Sequence, residues 1–188
     1  MRRLMLLRHA KTETDAASGR DQDRRLDDRG RIDAAEIGRF MGAHPPLPDL
    51  VLVSPAIRAH QTWEIVHEAI KETIKERTKD LDREPRVELL PELYAADISQ
   101  LLRTIRTAST ADPKVLMVVG HNPAMHELAL ALGGSGDDAG RKALAGNLPT
   151  SGLAVFEFAV DDWEDVAFRR GRLARFVSPK LLKQMLDD

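Results

Sequence analysis

Three short stretches hold the residue types that could do chemistry together. They are Arg8-His9, then Ser54-Pro55 with Arg58 just beyond, then Gly120-His121-Asn122-Pro123. Guanidinium groups present rigid forks of N–H donors that match phosphate oxygens. Imidazoles add either further donors or a nucleophilic nitrogen. The set is poorly suited to a metal cation. Two arginines would repel it, and the histidines lack the HxH or HExxH spacing of ligand pairs. The guest that fits this chemistry is a phosphate or phosphoryl group, and neither metal nor cofactor is expected.

Residues so far apart need elements that bring them together. Leu4–Leu7, Leu50–Val53 and Val115–Val119 are nearly continuous apolar runs, the pattern of parallel strands covered on both faces. Leu153–Phe158 reads as a fourth strand, and Val87–Leu90, Val166–Phe168 and Leu173–Val177 as further extended segments. Helical apolar spacing occupies Asp33–Met41, Gln61–Thr78, Ser99–Ala108 and Pro123–Leu132. Strand and helix alternate, which predicts an α/β layered sheet. In such a sheet the carboxyl ends of parallel strands share one edge, where ligands bind. Each of the three stretches directly follows a predicted strand, so Arg8, His9, Arg58 and His121 are expected in one crevice. The charged stretch Lys71–Arg86 reads as a solvated helix end and loop. Gly133–Gly152, rich in Gly, Asp and Ser, reads as a flexible loop.

The 188 residues suit one domain spanning 1–188. Lys+Arg 28 against Asp+Glu 30 gives a net charge of -2, so no bulk positive field holds nucleic acid or an anionic membrane, and any anion site must be local. Cysteine is absent, which excludes disulfides, thiolate metal sites and cysteine catalysis. The apolar run after Met1-Arg2-Arg3 ends too early for a signal peptide, and no stretch approaches the ~20 apolar residues of a membrane span. A cytoplasmic protein is the expectation.

Leu7-Arg8-His9-Ala10-Lys11-Thr12 resembles the Arg-His-Gly/Ala signature of the histidine phosphatase superfamily, whose fold is phosphoglycerate mutase-like. Ser54-Pro55-Ala56-Ile57-Arg58-Ala59-His60-Gln61-Thr62 is similar to its second signature, and His121-Asn122-Pro123 to the second-histidine motif of the SixA-type branch. Arg25-Leu26 followed by Gly30 is similar to that branch's Arg-Pro-Leu…Gly stretch, with Arg25 where proline often sits. The likeness runs from about Arg3 to Pro179. It implies a three-layer α/β/α sandwich with a mostly parallel central sheet. It further implies metal-independent phosphatase action through a phosphohistidine on His9, with Arg8, Arg58 and His121 binding the phosphoryl oxygens and Glu92 as general acid. Asp97 competes for that last role. Asn122 stands where the superfamily's acid phosphatases have an aspartate, which argues against that branch.

The implied substrate is a phosphorylated protein, such as a phosphorelay domain, and the reaction is phosphohistidine hydrolysis in signal transduction. The alternatives are a small phosphomonoester, of sugar phosphate or phosphoglycerate type, or a catalytically weak phosphate-binding interaction module. Lys11 and Thr14 are expected at the pocket mouth. His44, His60, His67, His126, Trp63 and Trp163 are expected to serve structure.

Overall fold

The computed structural model describes residues 1–77 and 84–188. Seven strands form one sheet among them: β1 (Arg2–Arg8), β2 (Leu50–Val53), β3 (Arg86–Leu89), β4 (Val115–Gly120), β5 (Gly133–Gly136), β6 (Leu153–Phe158) and β7 (Gly171–Val177). The spatial order is β3-β2-β4-β1-β6-β7-β5. The strands β3, β2, β4 and β1 run parallel, and β6 lies antiparallel to both β1 and β7. The helices are α1 (Asp28–Ala43), α2 (Ile57–Arg77), α3 (Ile98–Thr107), α4 (Ala124–Leu132), α5 (Asp138–Gly146) and α6 (Pro179–Asp187).

Side chains alternate across the sheet and build a core on each face. Met5, Leu7, Val51, Val53, Met117 and Val119 pack against α1 and α2 through Ala34, Ile37, Trp63 and Val66. Leu4, Leu6, Leu52, Leu116 and Val118 pack on the other face against Leu101 and Ile105 of α3 and Leu128 of α4. Both faces are covered, which is why these strands read as unbroken apolar runs. The result is the expected three-layer α/β/α sandwich.

Two expectations are corrected. Gly133–Gly152 is not one flexible loop: it contains β5 and α5, the latter capped by Asp137, whose carboxylate accepts from Gly140 N at 2.7 Å. Val166–Phe168 is not a strand. It follows a short 3-10 turn whose Trp163 is fully buried and donates from Nε1 to Pro113 O at 2.7 Å. Lys71–Arg77 forms the expected helix end, as the last turns of α2, while the remainder of that charged stretch, with Thr78, lies partly outside the described residues.

Candidate active site

The register places the three motif-bearing strand ends side by side. Val53 pairs with Val119, and Arg8 pairs with Gly120. The residues that follow stay bound to their neighbours: His9 N donates to Gly120 O and Ser54 N to Val119 O, both at 3.1 Å. His9 and His121 therefore face each other, with ring centroids 5.3 Å apart. Arg58 enters from the first turn of α2 and is 6% exposed. Arg8, His9, Arg58 and His121 are brought together as expected.

Thr62 ties α2 to the chain leaving β1. Its hydroxyl accepts from Ala10 N at 2.9 Å and donates to Arg58 O at 2.6 Å. Gln61 takes Leu26 N at 2.9 Å, which secures the far end of the 11–26 excursion. That excursion is closed by a bridge between Thr12 and Leu26 and by the approach of α1. At Gly30 a β-carbon would stand 2.0 Å from Lys11 O, so only glycine admits this contact.

Each imidazole has one nitrogen committed. His9 Nδ1 lies 2.7 Å from Ala10 O, so it carries the proton and donates, leaving the Nε2 lone pair free. Burial drives the His9 pKa down to about 3; the bond to Ala10 opposes this, while the charges of His121, Arg58 and Arg8 add to it. His121 Nε2 lies 2.7 Å from Ser54 Oγ. Ser54 Oγ also accepts weakly from Ala56 N at 3.4 Å, so its own hydrogen is available for His121 Nε2. With Ser54 donating, the proton of His121 resides on Nδ1, which is buried and has no partner among the described residues. Burial first, then Arg58, holds the His121 pKa down at about 4.

Arg8 Nη1 donates to Leu148 O at 3.2 Å, and Asn122 Nδ2 donates to the same carbonyl at 2.8 Å. Burial lowers the Arg8 pKa from its ordinary value. Among the described residues the Nε groups of Arg8 and Arg58 are buried without a partner, as is His121 Nδ1. Orphaned buried donors are costly and rare. Three in one site, all on residues of the motif set, match what a tetrahedral oxyanion would satisfy.

Glu92 is exposed in a short 3-10 turn and lines a cleft with Leu52, Arg86, Glu88 and Thr107. Asp97 caps α3, accepting from Gln100 N at 2.8 Å while Asp97 N donates to Gln100 Oε1 at 2.8 Å. Lys11 is exposed and pairs loosely with Asp27. His44 and His126 bond backbone carbonyls, and His67 meets Glu84 at 2.8 Å.

Sequence reasoning assigned no role to four members of the site. Ser54 holds His121, as described. Asp21 accepts from Arg58 Nη2 at 2.9 Å, from Arg24 Nε at 3.0 Å and from the Tyr94 hydroxyl at 2.5 Å. The Tyr94 ring meets His121 edge-on at 5.7 Å. The available signal was that Tyr94 is the only tyrosine of the chain and sits two residues past the motif glutamate. In the Arg-Pro-Leu-like stretch the arginine that reaches inward is Arg24, not Arg25.

Residues 4–84 match the sequence profile of the histidine phosphatase superfamily, branch 1. An uncharacterised chloroplast protein of Arabidopsis thaliana is 30% identical over 172 residues, covering 87% of this chain and 70% of its own length. A solved structure from Agrobacterium tumefaciens, provisionally named as the phosphohistidine phosphatase SixA, is 31% identical, with a TM-score of 0.73 over 95% of this chain and 99% of that one. The chain belongs to the histidine phosphatase superfamily. Within it the chain falls in the SixA-type branch, with the phosphoglycerate mutase-like fold, and it is a phosphatase. The protein histidine phosphatase SixA complexed with tungstate shares the fold at 23% identity, with a TM-score of 0.70 over 96% of this chain and 99% of that one. Among the described residues no helix is long and apolar enough to cross a membrane, and no three His, Asp or Glu side chains gather to hold a metal.

Proposed function

We propose that this histidine phosphatase hydrolyses phosphohistidine on a protein, through a covalent intermediate on His9 and without a metal. The observation that carries the reading is the set of three orphaned donors around a neutral imidazole whose tautomer is fixed. His9 Nε2 attacks phosphorus in line. The phosphorus–nitrogen bond to the substrate imidazole breaks as the bond to His9 forms. Arg8 Nε, Arg58 Nε and His121 Nδ1 take the phosphoryl oxygens and hold them as charge spreads in the transition state. Water then attacks the phosphohistidine, releasing inorganic phosphate and restoring His9.

The leaving group decides how much acid the site needs. An alkoxide requires a proton in the transition state, whereas an imidazole protonated on its distal nitrogen departs neutral. The exposure of Glu92 to solvent and the commitment of Asp97 to a helix cap support an imidazole leaving group. The cleft beside His121, lined by Tyr94, Leu101, Gly120 and Met125, holds about 250 Å³. A phosphoimidazole presented on a protein surface needs no pocket that encloses it. A phosphorelay domain in the cytoplasm is the partner of this kind, and residues 1–188 act as one catalytic domain.

The test compares turnover of a phosphohistidine-bearing protein with that of sugar phosphates and phosphoglycerate. A kcat/KM at least ~100-fold higher for the protein is expected. Faster turnover of a small phosphomonoester overturns the substrate assignment.

A further inference from the structure

Arg58 is held in an unusual way for a residue that must bind substrate. Its two terminal nitrogens are both taken by a single residue: Nη1 donates to Asp21 O at 2.8 Å and Nη2 to Asp21 Oδ2 at 2.9 Å. The Nε group remains without a partner among the described residues. A guanidinium offers two forks, one end-on between its terminal nitrogens and one side-on between Nε and Nη2. Asp21 fills the end-on fork and leaves the side-on fork open.

Asp21 is itself braced. Arg24 Nε binds its other oxygen at 3.0 Å, and the Arg24 Nη1 group reaches back to Thr12 Oγ1 at 2.7 Å and Glu13 O at 3.2 Å. Glu13 N bonds Arg25 O at 2.9 Å, closing the same loop. The Tyr94 hydroxyl donates from the opposite wall, and its ring lies 5.9 Å from the Arg58 guanidinium carbon. These bonds, the Tyr94 one foremost, hold the Asp21 carboxyl well below the usual carboxylate range, and they push the Tyr94 hydroxyl up. Asp21 therefore stays a carboxylate and Tyr94 a donor throughout the working range.

We propose that Asp21 is a positioning residue for the phosphoryl group: by occupying the end-on fork of Arg58 it aims the side-on fork at the transferring phosphorus. The inference rests on the phosphate reading of the site given above. Pre-aimed donors lose little freedom at the moment of reaction, which is where such groups gain their effect. A carboxylate that merely competed with substrate for Arg58 would act in the opposite direction, since its removal would improve anion binding.

The test is a cycle of Asp21→Asn and Arg58→Ala, singly and together, with vanadate and phosphate titrations beside the kinetics. Asp21→Asn is expected to lower kcat roughly tenfold or more while KM stays within about threefold. Vanadate, which resembles the transition state, should lose more affinity than phosphate. In the Arg58→Ala background Asp21→Asn should have no further effect. Asp21→Glu, which keeps the charge on a longer arm, should recover part of kcat, and Tyr94→Phe should lower kcat less than Asp21→Asn does. A rise in kcat/KM or tighter phosphate binding by Asp21→Asn overturns the proposal, as does an equal loss in both backgrounds. Were the wild type to turn over no phosphorylated substrate, the proposed function would fall, and the vanadate cycle would still decide the role of Asp21.

Discussion

The chemistry of this site is set by which ring nitrogen carries a proton. Ala10 O fixes that for His9, and a hydrogen given by Ser54 to Nε2 sets it for His121. Ser54 is fully buried and touches no reacting atom, so its part is exerted through His121. Ser54→Ala leaves His121 Nε2 without its partner and frees the ring to change tautomer. One hydrogen bond of this kind is worth ~0.5–1.5 kcal/mol, so kcat should fall by about 3–10-fold, with folding stability lowered by a similar energy. Ser54→Thr keeps the hydroxyl and should recover part of the rate. Steady-state kinetics with a denaturation curve for each variant checks both. An unchanged kcat in Ser54→Ala would remove Ser54 from the account. These residue roles were only partly legible. The motif arginines and histidines announce themselves by type at strand ends. Asp21 does not, because a carboxylate in a polar loop carries no pattern that says where it points.

At the scale of elements, the site depends on how α2 is sewn to the loop after β1. Thr62 supplies the stitch by accepting from Ala10 N, gives its own hydrogen to Arg58 O within α2, and is fully buried. Thr62→Val keeps shape and removes both bonds, stranding a buried amide. The expected cost is about 1–3 kcal/mol of unfolding free energy, read as a lower urea midpoint with the slope unchanged. The strands and main helices were readable because each buries a continuous or periodic apolar set. β5 and α5 were not. The β5 sequence Gly133-Gly134-Ser135-Gly136 has almost no side chains to show an alternation. Along α5 only Leu144 is buried, so no apolar stripe marks a helix, and the Asp137 cap with Gly140 resembles turn chemistry.

Across the whole molecule, two buried imidazoles impose a pH dependence on folding. Their folded pKa values, about 3 for His9 and about 4 for His121, lie below the ordinary 6.5. The unfolded chain therefore binds protons that the folded state refuses. This stabilisation is complete above pH 6.5 and is lost progressively as pH falls through 4 toward 3. Thermal melts of the wild type should show Tm dropping between pH 6.5 and 4. The double variant His9→Gln/His121→Gln should show a shallower drop across the same window. Equal slopes would mean the two rings titrate normally. The alternation of strand and helix predicted the α/β class. The depth of the two rings follows from sheet order, which placed β4 between β1 and β2 and could not be read from a list of apolar runs.

The central claim is that His9 carries the phosphoryl group between substrate and water. Rapid acid-free quenching during turnover of a ³²P-phosphohistidine protein, followed by denaturing separation, tests it most directly. An alkali-stable, acid-labile label on the wild-type chain, absent from His9→Ala, is the expected result. A label that persists in His9→Ala, or turnover by that variant at the wild-type rate, contradicts it.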